Sequence, residues 1–213
     1  KSEQLTAQIS AASNLKSMLL SLSTSLGERI RVGDLSPQPS LANPAVATAS
    51  LSGSRTPSGS FSLEVTRLAT SQTLASQAYA SPAALTGSGT LTLRFGTVSG
   101  ASFTADADRD PVDITIAAGS SLSQVAAAIN GAGAGVTAYV ANTVNGAQLV
   151  LKGAEGANNG FVIEATEDPL EPGLSGLAWS PGSATGSLLA NAQDATLKID
   201  GLDITSPGNR LVD

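Results

Sequence analysis

Four aspartates alternate through the stretch Asp106-Ala-Asp108-Arg-Asp110-Pro-Val-Asp113, and alternating carboxylates are the donor set of a calcium loop. An EF-hand loop also needs a central glycine and a distal bidentate glutamate. Neither stands at the required place, and Arg109 sits among the donors, so the stretch reads as a solvated acidic loop. Glu164, Glu167 and Asp168 contain the elements of a paired-carboxylate hydrolase. They lie at a strand end that leads into a Pro/Gly-rich loop, with no aromatic sugar platform nearby in the sequence. The third candidate is the glycine-rich run from Gly131 to Gly135. Phosphate-binding loops place their glycines ahead of a helix, so that the N-terminal amides and the positive dipole end meet the anion. Here the glycines follow a helix, where the nearest dipole end is negative. No Gly-Lys-Ser/Thr follows, and no basic residue occurs between Asp110 and Leu151. The order argues against a nucleotide site; the loop reads as a helix stop, with Gly131 as the C-cap glycine.

Composition narrows the chemistry further. The 213 residues include no Cys and no His. Thiolate catalysis, disulfides, Cys/His zinc sites and every mechanism with imidazole as general base are excluded. The net charge is −6, and the densest basic stretch is Glu-Arg-Ile-Arg-Val at 28–32, whose two Arg offset one Glu. A nucleic-acid partner needs a basic face, and an anionic membrane surface is disfavoured for the same reason. No stretch reaches the ~18 apolar residues of a membrane span. The chain shows no signal-peptide pattern, begins at Lys1 and ends in a strand-like Asn-Arg-Leu-Val-Asp, so a fragment of a longer protein is expected. No catalytic residue, cofactor or metal site is assigned, and a non-enzyme is expected.

The elements that would position any site fall into two regimes. Residues 3–30 read as a helix, with Leu5, Ile9, Ala12, Leu15, Leu19, Leu22 and Leu26 spaced 4, 3, 3, 4, 3, 4 in one apolar stripe. Leu15, Leu19, Leu22 and Leu26 follow the 4-3-4 spacing of a two-helix seam and are the candidate interface residues. The stripe fits either packing on the rest of the chain or pairing with a helix elsewhere. Pro37, Pro39, Pro44 and Pro57 then mark 33–59 as a linker-like connection, with one extended segment expected in 43–52. Beyond it the period changes from 3.6 to 2. Phe61, Leu63 and Val65 alternate; so do Leu91, Leu93 and Phe95, and Val112, Ile114 and Ile116. Each run predicts a strand with one buried face, and 158–165 adds another. Asn145-Gly146 and Asp200-Gly201 predict two-residue hairpin turns of the primed type. Ser121-x-x-Gln124 has capping-box spacing at the start of a helix over 121–130 that faces Leu122, Val125, Ala126 and Ile129 inward. The tract 166–190 reads as a long surface loop holding the single Trp179. The expected class is α+β, mainly β: an N-terminal helix, then antiparallel β-rich domains with one short helix. The expected divisions are 1–49, 50–85, 86–190 and 191–213.

The order of segments resembles a known family. Residues 58–79, "SGSFSLEVTRLATSQTLASQAY", resemble the segment that follows the N-terminal helical region in the hook-associated protein 2 family of flagellar filament caps. Residues 119–165 are similar to the IN repeat of flagellar hook-associated proteins and some flagellins. They carry the Ser-Leu start, Ala-Ile-Asn at 128–130, Gly-Val-Thr-Ala at 135–138 and Asn-Gly-x-x-Leu-x-Leu at 145–151. Residues 192–213 resemble the strand pair that follows in the cap family, whereas 166–190 fit no family pattern. The resemblance implies a structural protein, exported without a cleaved signal, that forms a ring-shaped, pentamer-like homo-oligomer at the extracellular tip of the flagellum. There it would retain exported flagellin and promote its insertion, with flagellin and the hook–filament junction proteins as partners. It implies no cofactor, no nucleic acid and no membrane insertion. The alternative is a secreted carbohydrate- or surface-binding β module, and a carboxylate hydrolase ranks last.

Overall fold

The computed structural model describes residues 2–32, 38–51 and 58–211, and the chain divides into two compact units, 1–60 and 61–213. In the first unit, helix α1 spans Ser2–Arg31, as the apolar spacing predicts. A helix rich in Ser and Thr must place hydroxyls that otherwise compete with its backbone. Here Thr6, Ser17 and Thr24 donate to the carbonyls of Ser2, Ser13 and Leu20, one turn back, at 3.0, 3.0 and 2.9 Å. Glu3 in the first turn and Arg29 and Arg31 in the last complement the helix dipole. Gly27 lies inside the helix without interrupting it.

After α1 the structure departs from expectation. Residues 38–51 contain no strand. Asn43 instead forms a turn, its side-chain oxygen accepting from Ala45 N (3.1 Å) and its carbonyl from Val46 N (3.2 Å). Pro44 fixes φ next to an Asn that tolerates turn geometry, and the combination favours a turn over an extended segment. Pro37 and Pro57 lie outside the described residues.

The second unit is built from three antiparallel sheets and one helix. Strands β1 (Leu63–Arg67), β10 (Ala195–Ile199) and β11 (Leu202–Ser206) form the first sheet, in the order β1-β10-β11. Strands β6 (Thr137–Thr143), β7 (Gly146–Glu155), β2 (Ser71–Ala75) and β9 (Ser187–Ala190) form the second, in that order. In the third, the long β3 (Gly89–Ser99) is flanked by β8 (Gly160–Glu167) on one side and by β5 (Val112–Ile116) and β4 (Ser102–Ala105) on the other. The core joins the second and third sheets: Leu91, Leu93 and Phe95 of β3, Ile114 and Ile116 of β5, Leu149 and Leu151 of β7, and Phe161 and Ile163 of β8.

Helix α2 (Leu122–Gly131) packs on this core through Leu122, Val125, Ala126 and Ile129. Its capping box is complete: Ser121 Oγ accepts from Gln124 N (3.3 Å) and Gln124 Oε1 accepts from Ser121 N (2.8 Å). The next amides donate outward, Leu122 N to Ala84 O and Ser123 N to Pro82 O. Gly131 is not the C-cap. The helix continues through it to Ala132, and the glycine in the left-handed region is Gly133, at φ +62.

The two hairpins differ. Asp200 and Gly201 both have positive φ, +50 and +84, which is the primed turn the sequence predicts. In the other hairpin Thr143 pairs with Gly146, so the turn residues are Val144 and Asn145 rather than Asn145 and Gly146. Asn145 does not have positive φ; Gly146 alone does, at +123.

The tract 166–190 is not a surface loop. It holds a 3-10 turn at Leu174–Leu177 and strand β9, and Leu174, Leu177 and Trp179 belong to the core. Trp179 pairs with Ile163 through both backbone bonds, at 2.8 and 2.9 Å, and is 7% exposed. Its side chain lines the sheets rather than the solvent, because β8 is apolar on both faces and needs cover on each.

Candidate assembly surfaces

Most of the groups that suggested chemistry are engaged with neighbouring backbone or side chains. Glu164 pairs with Arg94 across β3 and β8 at 3.1 Å. Glu167 accepts from Gly173 N (3.0 Å) and from Ser175 N, capping the 3-10 turn. Those bonds, led by the one from Ser175, hold its carboxyl below the usual glutamate range. Asp168 accepts from Leu170 N (2.9 Å), Asp106 from Asp108 N (3.1 Å) and Asp113 from the Thr92 hydroxyl (2.6 Å). Arg109 lies 3.9 Å over the Phe95 ring and donates to Asn159 Oδ1 at 2.9 Å. Burial raises the Tyr79 phenol above its ordinary value, with the neighbouring Gln77 side chain pulling the other way. Among the described residues no three His, Cys, Asp or Glu side chains gather in a metal-binding group.

Three carboxamides perform a task that sequence reading did not identify. Gln72, fully buried, donates to Phe161 O (2.7 Å) and accepts from Phe161 N (3.0 Å). Asn130 donates to Ala138 O (2.7 Å) and accepts from Ala138 N (2.8 Å). Asn209 donates to Ala69 O (3.0 Å) and accepts from Ala69 N (2.8 Å). Each side-chain amide thus presents the donor and acceptor of a peptide unit to the backbone of one residue. The first ties β2 to β8, the second ties the end of α2 to β6, and the third ties the residues after β11 to the link between β1 and β2. Asn130 is the Asn of the Ala-Ile-Asn hallmark, so the motif was visible while its task was not.

What remains open on the surface is apolar. Leu15, Leu19, Leu22 and Leu26 are 60, 57, 62 and 47% exposed, and α1 buries none of its residues. In the second unit, the register places Leu63, Ile199 and Leu202 opposite one another, with Val65, Leu197 and Ile204 beside them on the same face. Leu197 is buried there, but Leu63, Leu202 and the preceding Phe61 are exposed, so β1 lacks the well-buried face its alternation predicts. A sugar platform finds less support: Trp179, Phe95 and Phe161 are buried, leaving Phe61 and Tyr139 as exposed rings. The geometry suits protein–protein contact through aliphatic surface.

Comparison with known proteins gives the same arrangement. The family model described as Flagellar hook-associated protein 2 N-terminus matches residues 1–72, and that described as Flagellin hook IN motif matches residues 90–155. The chain is 29% identical over 214 aligned residues to Flagellar hook-associated protein 2 of Escherichia coli (strain K12). That match covers 98% of this chain and 43% of the relative, so the chain spans less than half the relative's length. Among solved structures, the D1-D2-D3 domains of the flagellar cap protein FliD of Escherichia coli align with a TM-score of 0.60 and 26% identity, covering 72% of this chain and 44% of that one. FliD of Pseudomonas aeruginosa PAO1 aligns with a TM-score of 0.60 and 27% identity, covering 76% of this chain and 72% of that one.

Proposed function

From the family models it matches at 1–72 and 90–155 and its likeness to hook-associated protein 2, we propose that the chain is a member of that family and a structural part of the cap at the distal end of the bacterial flagellar filament, outside the cell and without catalytic activity. The observation that carries this reading is the succession, in family order, of an exposed apolar helix and a β-rich body containing the IN motif. Residues 1–49 serve as a stalk segment and linker, and in the β-rich body Leu63–Arg67 closes a sheet with 195–206 while Ser71–Ala75 joins the sheet of β6, β7 and β9. The assembled cap is a pentamer-like ring that retains exported flagellin and promotes its insertion, with flagellin and the hook–filament junction proteins as its partners. Leu15, Leu19, Leu22 and Leu26 supply one side of a helix seam. Burying a leucine contributes roughly 1.5–3 kcal/mol, so four together would hold a helical partner firmly.

Electron microscopy of filaments tests this, in cells that lack their own cap protein and express either the native protein or a variant with Leu15, Leu19, Leu22 and Leu26 each changed to Ser. Native protein should give rings at filament ends. The variant should give bare ends and flagellin in the medium, while the β-rich body melts within about 0.5 kcal/mol of native, since exposed substitutions alter folding little. Rings that survive the four changes would remove the seam. Native protein that binds glycans and forms no rings would replace the cap with a surface-binding module.

A further inference from the structure

The sequence contains three Asn-Gly dipeptides: Asn130-Gly131, Asn145-Gly146 and Asn159-Gly160. Asn followed by Gly is chemically labile, because without a Cβ the next backbone nitrogen can reach the asparagine side-chain carbon. That reaction needs a carboxamide free to turn toward the following backbone nitrogen, and a following N–H that a local opening can release.

The fold separates the three sites. Both polar atoms of Asn130 are held by Ala138, and Gly131 is still inside α2, where its N–H serves the helical ladder. Both polar atoms of Asn159 are held as well, Nδ2 donating to Glu155 O and Oδ1 accepting from Arg109 Nη1. Asn145 stands exposed at the tip of the β6–β7 hairpin, and among the described residues nothing bonds its carboxamide. The Thr143 hydroxyl accepts from Asn145 N (3.2 Å) and donates to Gly146 O (2.9 Å), and Gly146 closes the turn opposite Thr143, so the side chain is loose and the Gly146 N–H is released by opening one exposed turn rather than a helix or the core.

The glycine that makes the site labile is also required by the fold. Gly146 has φ +123, and a Cβ there would press into the carbonyl oxygen of Tyr79. That carbonyl is fixed by its bond from Ala147 N at 2.8 Å. A slower dipeptide with a side chain at position 146 is therefore not open to this hairpin.

We propose that Asn145 is a site of spontaneous, age-dependent deamidation in the folded protein. When the turn opens, solvent base removes the Gly146 N–H proton, and the nitrogen attacks Asn145 Cγ to form a new C–N bond. The Cγ bond to the side-chain nitrogen breaks, and ammonia leaves with a proton from solvent. Water then opens the five-membered imide at either carbonyl, giving aspartate or isoaspartate. No oxidant or enzyme is needed. The isoaspartate product adds a methylene to the backbone inside the turn, so Thr143 cannot keep both of its bonds. It also puts a carboxylate beside Val144, which is fully exposed at the same tip.

Peptide mapping by mass spectrometry, with isoaspartate resolved, tests the proposal on native protein aged at neutral pH. The amide-to-acid mass gain should accumulate at least about tenfold faster at Asn145 than at Asn130 or Asn159, because those two react only from wider openings. In denaturant the three rates should converge. Asn145→Ser should abolish the gain at this position, and aged native protein should show faster amide exchange across 143–147 than the equally aged variant. Equal rates at the three sites in the folded protein would overturn the proposal. So would an Asn145 that stays intact while the denatured chain deamidates.

Discussion

Helix α1 runs for 30 residues and buries none of them; helix α2 runs for 10 and buries four. Both carry an apolar stripe at helical spacing, and both were legible from it. A 10-residue helix is too short to persist alone in water. Helix α2 persists because its stripe meets the core, its first turn has a capping box, and Asn130 fastens its last turn to β6. Helix α1 has length, internal hydroxyl bonds and favourable charges at its ends, but no tertiary cover among the described residues. A stripe announces that something must cover a helix and leaves open whether the cover belongs to the same fold.

The largest test of this contrast is amide exchange on a proven monomer. Exchange across Leu5–Leu26 should be fast, while β3, β8 and α2 should be protected by about 4 kcal/mol or more, the share of global stability carried by core elements. Equal protection in α1 would break the comparison and mean that the stripe packs on its own chain. Next come the carboxamides. Gln72→Leu strands a buried N–H and C=O of Phe161 and should cost about 2–5 kcal/mol by denaturant melting. Asn130→Ala is less buried and should cost about 1–2 kcal/mol, with the loss of protection concentrated in the last turn of α2. An Asn130 variant as stable as native would show that core contact alone secures the short helix. Ser121→Ala removes one cap bond and should cost about 1 kcal/mol.

The smallest effect is a pH dependence. Glu167 has its folded pKa held below the unfolded value by the bonds from Ser175 and Gly173. Its contribution is therefore present above the unfolded glutamate pKa and is lost as pH falls through the folded one. Protection of the Gly173 and Ser175 amides, taken relative to their intrinsic exchange rates at each pH, should fall on acidification through that window in native protein, while Glu167→Gln should remove the dependence. A native profile that matches the variant would remove the cap from the account.

Local signals were the readable ones. The inward face of α2, its capping box, the alternation of β3 and β5 and the Asp200-Gly201 turn each lie within a few residues, and local sterics decide them. The same reading placed the other hairpin turn one residue late, because Gly146 alone adopts positive φ and it does so beneath Tyr79, far away in sequence. Strand β2, Ser-Gln-Thr-Leu-Ala, shows no apolar alternation, since its buried Gln72 is satisfied by a partner 89 residues away. Trp179 looked like a loop residue amid Pro, Gly and Ser; only the two-sided burial of β8 gives it a place. Of the candidate site, the four leucines were readable and lie exposed on α1, while the apolar face of the β1-β10-β11 sheet needed the register to be known.

The carboxamide clamps carry a consequence for the medium in which the protein works. An amide side chain neither titrates near neutrality nor holds a net charge, so acidity and dissolved salt have little purchase on Gln72 or Asn130, whereas Asn209 also donates to the Glu155 carboxylate. The ion pairs Arg94–Glu164 and Lys198–Asp203 lie on exposed side chains, where each is worth about 0–1 kcal/mol. With no histidine to switch and with neutral dipoles joining β2 to β8 and α2 to β6, those two joints should hold from fresh water to brine.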